Sequence, residues 1–416
     1  MTNLFKKLNS ISVLNDAWRS VRQKAVRSAS GSIRNEAALF DENSPRNIRS
    51  IQDRLRNGRY SFKPQTGVAQ QREGKSPRPI VVAPLENKIV QRAMLDVLNA
   101  HVPEIAVLAD VPTSFGGVRD KSVSNAIALV REAADRGMTF YIRSDIPSFF
   151  SRIDKVRVDG LLAGCISDQR FLDLIKSAIR TELENEAELT RRGVSKIFPL
   201  GNEGVSQGSS LSPMLANLYL KEFDKEMNLD SEFLCIRYID DFVILGGSER
   251  AVSRGFKRAQ AILKRLGLEV YSPDDNPEKA SRGVLRKGLD FLGCTITDDS
   301  VVPSRAACKK LLESIEAEER RALHELRLIL RGGTAGKAGC YAQALANINK
   351  IVWGWGKAFS FCGSSHVLKT LDGEISRRVK DFNIRMQAEM SEQSGRNTRL
   401  ILGVRMLTDA VGDEEH

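Results

Sequence analysis

The chain has 416 residues, 42% of them hydrophobic and 28% charged, which is the composition of an ordinary soluble protein of two or three domains. Lys and Arg number 63 against 52 Asp and Glu, and the net charge of +11 favours a polyanionic partner, nucleic acid first and an anionic membrane surface second. No apolar run reaches about 18 residues, which excludes a membrane-spanning helix.

Cysteine and histidine usage argues against zinc, a disulfide framework and a histidine-based active site. The six cysteines are scattered and form no C-x-x-C pair, so we expect free thiols in a reducing, cytoplasmic compartment. The four histidines lie far apart, without the spacing of a metal cluster or a catalytic triad.

The first predicted element is helical. Leu14, Trp18, Val21 and Ala25 recur at helical spacing within the basic stretch 14–58. The first residues are also basic and poor in acids, which is transit-peptide chemistry. An amphipathic helix accounts for the apolar spacing, so we expect a helix here.

The next stretch mixes extended and helical patterns. An extended segment at 60–64 is followed by a polar loop over 70–79, a short strand at 80–82 and a helix over 87–100. Residues 103–119 are irregular and contain glycine.

The rest of the body alternates strands and helices. We predict a helix over 121–136, a strand over 138–145, a helical turn over 146–153 and a mostly helical stretch over 159–189. Loop and short strand follow over 197–208, and then a helix from its N-cap Ser212 through Pro213 to about Met227. The last elements are strands at 233–238 and 242–246 joined as a hairpin, a helix over 254–266 and a β-type segment over 289–296.

Beyond Pro303 the composition becomes that of a helical domain. A long leucine-rich helical pattern is broken by the glycine-rich run 332–340, and two further helices follow. The last residues, "GDEEH", are expected to fray. We therefore place a boundary near residue 300, between a mixed α/β body and a helical C-terminal domain.

Three aspartates carry the clearest chemistry. Asp145 ends a strand, and Asp240 and Asp241 lie at the tip of the predicted hairpin, where a tight turn lets adjacent carboxylates face one site. Clustered carboxylates repel one another unless a cation lies between them. Hard oxygen ligands suit Mg²⁺, and two such ions about 3.5–4 Å apart serve polymerases and nucleases. An Asp-Asp pair alone is also a common turn former, so its neighbours decide the interpretation.

Two further segments suit phosphate. Residues 205–220, "VSQGSSLSPMLANLYL", form a glycine-serine loop that runs into a capped helix, whose free N–H groups can bind phosphate. The segment "GKSPRPI" places Lys75 and Arg78 on a loop, and arginine can bind phosphate oxygens with two parallel hydrogen bonds. The plain alternatives are an ordinary capped helix and a solvated basic loop.

Together these segments resemble bacterial reverse transcriptases. The matching blocks, in order, are "YSFKP", "RPIVVAPLENKIVQRAM", "SFGG", "SDIPSFFSRI", "SQGSSLSPMLANLYL", "YIDD" and "LDFLG". Their order and spacing over about residues 10–300 are most similar to the group II intron enzymes and their relatives. The helical region that contains "IVWGWGKAFSFC" resembles the thumb of those enzymes.

The resemblance implies an α/β (α+β) right-hand polymerase fold. A basic N-terminal helical extension would occupy 1–60, and the fingers and palm 61–300. The palm, with its antiparallel sheet, would lie mainly at 121–155 and 206–300. An all-helical thumb would follow at 301–416.

The resemblance also assigns the catalytic residues. Asp145, Asp240 and Asp241 would be catalytic and would hold two Mg²⁺ ions, with Mn²⁺ as an alternative. Phe150 would stand against the sugar 2′ position and exclude ribonucleotides, or else belong to the core of the palm.

Nucleotide contacts follow from the same blocks. Lys75 and Arg78 would grip the incoming triphosphate, and Gln207 and Gly208 would contact the nucleotide. The block "LDFLG" would hold the primer end. The partners implied are an RNA template, dNTPs and the cDNA product, with no membrane.

The sequence departs from the family pattern in ways that bear on its biology. Ser206 stands where the family usually has proline, which predicts a less rigid loop, and "SFGG" lacks the usual Arg-Pro. No cysteine-paired endonuclease domain is recognisable, which argues against an autonomous mobile intron enzyme. We therefore expect the enzyme to copy a dedicated, structured noncoding RNA in defence against phage.

Several alternatives stay open at this point. They are a group II intron-derived enzyme or maturase, a retron-like enzyme, template-independent or protein-primed DNA synthesis, RNA synthesis, and a catalytically silent RNA-binding protein. The intact aspartates argue against the last and Phe150 argues against RNA synthesis. The oligomeric state, a homo-oligomer included, also stays open.

Overall fold

In a computed structural model of the chain, the residues described are 3–28, 30–72, 75–330, 340–363, 365–391 and 395–403. The chain divides into two compact units, Met1–Arg282 and Gly283–His416. Within the described residues, no helix is both long and apolar enough to cross a membrane.

The first unit opens with amphipathic helices. They are α1 (Leu4–Leu8), α2 (Ile11–Ala25), α3 (Gly31–Glu42) and α4 (Ser44–Arg56). Leu14, Trp18 and Ala25 of α2 are buried, and the Trp18 ring lies 4.5 Å from that of Phe40. The predicted N-terminal helix is confirmed, and its apolar face packs into the core of the unit.

A two-stranded antiparallel hairpin follows, made of β1 (Thr66–Arg72) and β2 (Lys75–Val82). The polar loop predicted over 70–79 is therefore wrong. In the described part of the hairpin, Val81 and the partly buried Ala69 belong to an apolar cluster that includes Leu183 and Phe198. Because the outer part is held by its backbone ladder and carries polar side chains, it lacks the apolar alternation that reveals a strand.

Helices fill the rest of the first unit around its sheet. They are α5 (Leu85–His101), α6 (Pro103–Ala106), α7 (Val123–Asp135), α8 (Phe149–Arg152), α9 (Lys155–Cys165), α10 (Gln169–Ile179), α11 (Glu186–Arg191), α12 (Ser212–Tyr219), α13 (Lys221–Met227) and α14 (Glu249–Arg265). The apolar faces of α5, α12 and α14 all contribute to one core.

The central sheet is built from β3 (Phe140–Asp145), β4 (Phe233–Tyr238), β5 (Asp241–Gly246) and β6 (Ser281–Val284), in the order β4-β5-β3-β6. Both β3 and β4 run antiparallel to β5, which confirms the predicted hairpin. Phe242, Val243, Ile244 and Leu245 of β5 are all buried, because the middle strand is covered on both faces. The division between the two units falls inside β6.

Two local predictions around α12 are wrong. Ser212 is the first residue of α12 and Leu211 is its N-cap, because the Ser212 hydroxyl donates to the Ser206 carbonyl, at 2.7 Å, instead of capping the helix. The short strand predicted within 197–208 is reduced to isolated bridges, such as Ile80 with Gln207.

The second unit combines a small sheet with helices. Its elements are the antiparallel strands β7 (Leu289–Phe291), β8 (Cys294–Ile296) and β9 (Val301–Pro303) and the helices α15 (Arg305–Leu330), α16 (Cys340–Ala358), α17 (Ser365–Ser391) and α18 (Gly395–Leu402). Among the described residues, three helices follow α15, one more than predicted. The glycine-rich break predicted at 332–340 lies, except for Cys340, outside the described residues, as does the frayed C-terminus. The predicted fold class, α/β (α+β) with an antiparallel sheet and a helical C-terminal region, is confirmed.

Candidate active site

Strand register brings the three predicted aspartates together. Asp145, at the end of β3, lies directly opposite Asp241, at the start of β5. Tyr238 of β4 also pairs with Asp241, so Ile239 and Asp240 form a two-residue hairpin loop. The Asp240 carbonyl accepts a hydrogen bond from the backbone N–H of Ile146 at 3.1 Å, which ties the loop to the end of β3.

The aspartates form a locally negative site. Burial, together with the Asp241 and Asp145 carboxylates, raises the pKa of Asp240 to about 6, and the Arg78 guanidinium acts in the opposite direction. The Asp241 carboxylate accepts a hydrogen bond from Arg143 at 3.2 Å. The three carboxylates therefore make the end of this hairpin a candidate cation site.

The donor chemistry of this site fits Mg²⁺. All three side chains offer hard oxygen ligands, and Mg²⁺ is usually held by one or two carboxylates, with water and substrate phosphates completing its shell. Within the described residues, no group of three or more His, Cys, Asp or Glu side chains is placed so that it could hold a metal ion by itself. Two of these carboxylates would therefore fit an ion whose remaining ligands come from the substrate.

Two glycines let a neighbouring segment approach the hairpin loop. Ile239 has φ of +60°, a left-handed conformation that is costly for a β-branched residue. A Cβ on Gly116 would lie 2.5 Å from Ile239 Cγ1 and 2.7 Å from Ile239 N. A Cβ on Gly117, whose φ is +70°, would lie 2.4 Å from Pro213 Cβ. Because Gly116 and Gly117 of the "SFGG" block have no side chain, the hairpin loop and the start of α12 can both pack against them.

A buried arginine behind the loop was missed by the sequence analysis. Arg237 is 1% exposed and forms an ion pair with Asp224 at 2.5 Å. It also donates from Nη1 to the Ile239 carbonyl at 2.8 Å. The available signal was a single arginine within the otherwise apolar run "FLCIRY", but its partner could not be identified from spacing alone.

The predicted nucleotide-contacting loop lies against β2. The Gln207 carbonyl accepts a hydrogen bond from the Val81 N–H at 3.0 Å. Gly208 has φ of +133°, and a Cβ there would lie 2.5 Å from the Val81 carbonyl oxygen. Only glycine satisfies both the conformation and the close approach.

Ser206 gives this loop a source of order that proline would not supply. Its hydroxyl is hydrogen-bonded to that of Thr181 at 2.7 Å, and both side chains are buried. Its carbonyl accepts the Ser212 hydroxyl. The loop is therefore fixed by side-chain hydrogen bonds immediately before Gln207.

Arg78 and Lys75 lie on strand β2, not on a loop. Arg78 is exposed, is paired with Gln70, and lowers the pKa of Asp240 through its charge. The structure therefore brings Arg78 into electrostatic range of the aspartates. Lys75 begins β2 opposite Arg72, and its side chain lies outside the described part of the chain.

Phe150 lies at the edge of the core, next to a residue that is fully inside it. Phe149 is 1% exposed, whereas Phe150 is half-buried, and the two ring centroids are 5.6 Å apart. The Phe150 carbonyl accepts a hydrogen bond from the Val205 N–H at 2.7 Å, which connects α8 to the 206–208 loop.

The "LDFLG" block belongs to the second unit. It forms β7 and a turn in which Leu292 and Gly293 have φ of +51° and +81°. Phe291 is buried, and a Cβ on Gly293 would lie 3.4 Å from the Phe359 ring.

Comparison with known proteins identifies the family. Residues 69–296, more than half of the chain, match the family model described as "Reverse transcriptase (RNA-dependent DNA polymerase)". The chain belongs to this family, which confirms the resemblance seen in the sequence.

Individual relatives share less than a third of their residues with this chain over the aligned regions. Protein YkfC of Escherichia coli (strain K12) is 29% identical over 186 residues, which are 44% of this chain and 45% of YkfC. The group II intron-encoded protein LtrA of Lactococcus lactis subsp. cremoris is 26% identical over 308 residues, which are 72% of this chain and 46% of LtrA. Among solved structures, a partial Cas6-RT-Cas1–Cas2 complex matches with a TM-score of 0.36 and 21% identity, over 63% of this chain and 43% of that one. The chain spans less than half the length of the curated relatives it matches.

Proposed function

We propose that this protein is an RNA-directed DNA polymerase, which extends a primer with dNTPs on an RNA template. The observation that carries the proposal is the register that sets Asp145 opposite Asp241, with Asp240 in the adjoining loop, inside a region that matches the reverse transcriptase family. We assign residues 61–300 to the fingers and palm, 301–416 to the thumb and 1–60 to an N-terminal extension.

Each site residue has a distinct task in this mechanism. Asp145 and Asp240, with Asp241 beside them, would hold two Mg²⁺ ions, which would supply charge neutralisation at the attacking 3′ hydroxyl and at the leaving pyrophosphate. Arg78, with Lys75, binds the triphosphate of the incoming nucleotide.

Two further elements select the nucleotide. Gln207 and Gly208 support it from the loop that is fixed on β2. The half-buried Phe150 ring, at the edge of the core beside the fully buried Phe149, would exclude a ribose 2′ hydroxyl.

Primer extension with purified protein and Mg²⁺ tests the proposal. We expect dNTP incorporation on an RNA template and none with NTPs. Extension without a template would favour template-independent synthesis, and product attached to the protein itself would favour protein priming. Incorporation of NTPs would favour RNA synthesis, and no incorporation of either set would favour a silent RNA-binding protein.

The charge of the N-terminal region supports RNA as the partner. A groove of about 540 Å³ beside α4 is lined by Arg46, Arg49, Arg54 and Arg59, with Asp53 as its acidic residue. Arg54 is paired with Glu86 at 2.9 Å, whereas Arg46, Arg49 and Arg59 are exposed. Exposed arginines at this density suit the phosphates of a structured RNA.

For the template and the biological role we propose a dedicated noncoding RNA, copied into cDNA in antiphage defence. This part of the proposal comes from the sequence. The similarity to a group II intron-encoded protein favours the second candidate, an intron-derived enzyme that acts on its intron RNA.

Sequencing the RNA and cDNA bound in cells, with and without phage infection, decides between these two templates. A dedicated noncoding RNA, with phage protection that depends on Asp240, supports the defence role. Group II intron RNA alone, without protection, supports the intron-derived enzyme.

A further inference from the structure

The loop that carries Asp240 rests on a buried ion pair. Arg237 is the last but one residue of β4 and is 1% exposed, and Asp224 of α13 is 6% exposed. Charged side chains are rarely this buried unless they are paired and hydrogen-bonded. Arg237 lies two residues before Ile239, the first residue of the loop, and the proposed mechanism assigns no role to the ion pair.

The Arg237 guanidinium bonds to three different segments at once. Nε and Nη2 donate to the two carboxylate oxygens of Asp224 at 2.7 and 2.5 Å. Nη2 also donates to Ser114 Oγ at 2.7 Å, and Nη1 donates to the Ile239 carbonyl at 2.8 Å. A lysine ammonium is a compact charge on a flexible stem and cannot reproduce this planar set of contacts.

The contact with Ile239 has a mechanical consequence for the site. Ile239 is held at φ of +60°, and such a strained residue persists only when its surroundings fix it. The hydrogen bond from Arg237 to the Ile239 carbonyl fixes the peptide that joins Ile239 to Asp240. Because Asp224 neutralises the guanidinium charge, the effect of Arg237 on the loop is one of geometry.

The backbone of Arg237 connects the same segments. Its N–H donates to the Thr113 carbonyl at 2.8 Å, and its carbonyl accepts from the Phe115 N–H at 3.0 Å. Asn228, at the end of α13, donates to Thr113 Oγ1 at 2.9 Å. Main chain and side chain together join β4, α13 and the segment before Gly116 into one support for the loop.

We propose that Arg237 is a positioning residue for Asp240, acting through the Ile239 carbonyl. Its catalytic consequence rests on the proposed polymerase function, whereas its effect on loop geometry can be measured without any activity. Loss of the guanidinium hydrogen bonds should make the 238–241 loop more mobile and lower the kcat for dNTP incorporation, while the affinity for dNTPs is kept.

The first test compares Arg237→Lys with the wild type by hydrogen exchange and by primer extension. We expect amide exchange in the peptide covering the 238–241 loop to rise at least tenfold, and the kcat for dNTP incorporation to fall at least tenfold with KM changed by less than twofold. Arg258→Lys is the matched control, because Arg258 of α14 pairs with Asp230, which lies just before the start of β4 and far along that strand from the loop. It should leave loop exchange and kcat unchanged.

A double variant separates positioning from plain stability. Arg237→Met with Asp224→Leu removes both charges and leaves no unpaired buried charge, while Ser114 Oγ and the Ile239 carbonyl lose their donor. The protein should therefore stay folded, with a thermal midpoint above that of the single variant Arg237→Met. If Arg237 positions the loop, this folded variant still exchanges fast at the loop and turns over slowly. Wild-type exchange at the loop, in either the double variant or Arg237→Lys, would overturn the proposal. Absence of extension by the wild type itself would overturn the polymerase function, and loop exchange would still decide the role of Arg237.

Discussion

Single residues at the candidate site are held in positions that the free chain would avoid. Asp240 is a half-buried carboxyl beside two others, and Ile239 before it has a left-handed backbone. Strain and clustered charge of this kind are typical of functional sites, because they persist only where the rest of the fold imposes them. Under the proposed function, a bound divalent cation would offset the repulsion between these carboxylates.

Sugar selection is testable at Phe150. Phe150→Val removes the ring but keeps a β-branched apolar side chain, so the half-buried edge of the core should survive better than with Phe150→Ala. A fully buried Phe→Ala change costs about 3–5 kcal/mol. We expect Phe150→Val to accept NTPs much more readily, measured as the ratio of kcat/KM for dNTP and NTP. An unchanged ratio in a folded variant would assign Phe150 to core packing alone.

Elements with a clear apolar period could be predicted from the sequence. The hairpin of β4 and β5 alternates apolar runs around "YIDD", and α5 and α14 have apolar stripes at helical spacing, so their positions follow from local pattern. Asp240 in the hairpin loop and Asp241 at the start of β5 could be located from the sequence because the hairpin itself was predicted.

What the sequence could not supply depends on contacts between distant segments. The hairpin of β1 and β2 is polar along its outer part, so its pairing is invisible to periodicity. The Ser212 hydroxyl prefers a loop carbonyl to its own helix, and Arg237 finds Asp224 through the packing of α13 on β4. These contacts depend on how distant segments pack against one another, so no spacing pattern in the sequence predicts them.

Two glycine substitutions are expected to change the free energy of unfolding in opposite directions. One of them, at Gly208, tests the contact between the 206–208 loop and β2. Gly208→Ala should lower the free energy of unfolding by about 1–3 kcal/mol and impair extension, because its Cβ would meet the Val81 carbonyl at a φ of +133°. Gly160 lies exposed within α9, where an added Cβ meets no atom within 4 Å. Gly160→Ala should therefore raise the free energy of unfolding by about 0.5–1 kcal/mol.

Chemical denaturation of both variants measures these changes. Equal effects of the two substitutions would contradict the close approach of the 206–208 loop to β2. A destabilised Gly208→Ala with normal extension would separate this packing from nucleotide binding.

At the scale of the whole molecule, the net charge of +11 is the broadest feature to explain. We attribute it to an RNA partner that contacts the protein mainly through phosphates. Affinity for such a partner falls steeply with salt, because each neutralised phosphate releases condensed counterions.

The groove beside α4 makes this prediction specific. Replacing both Arg46 and Arg49 by alanine should weaken binding to RNA of any sequence and reduce the slope of log affinity against log salt by about two. Arg265 and Arg320, already paired with Glu226 and Glu316, are the matched controls, and their alanine variants should keep the wild-type slope. A flat salt response of the wild-type protein would contradict RNA binding through phosphates.

The most direct test of the whole account is the rate of RNA-templated primer extension by Asp240→Asn. The substitution keeps the size of the side chain and removes the negative charge that would hold a metal, while Asp135→Asn, on the exposed end of α7, serves as the control. Because bound metal ions would supply most of the charge stabilisation in this reaction, we expect a loss of at least about 10³-fold. The thermal midpoint should be no lower than that of the wild type, because burial and the neighbouring carboxylates disfavour the charged form of Asp240. A folded Asp240→Asn variant that extends the primer at the wild-type rate would contradict the assignment of the active site.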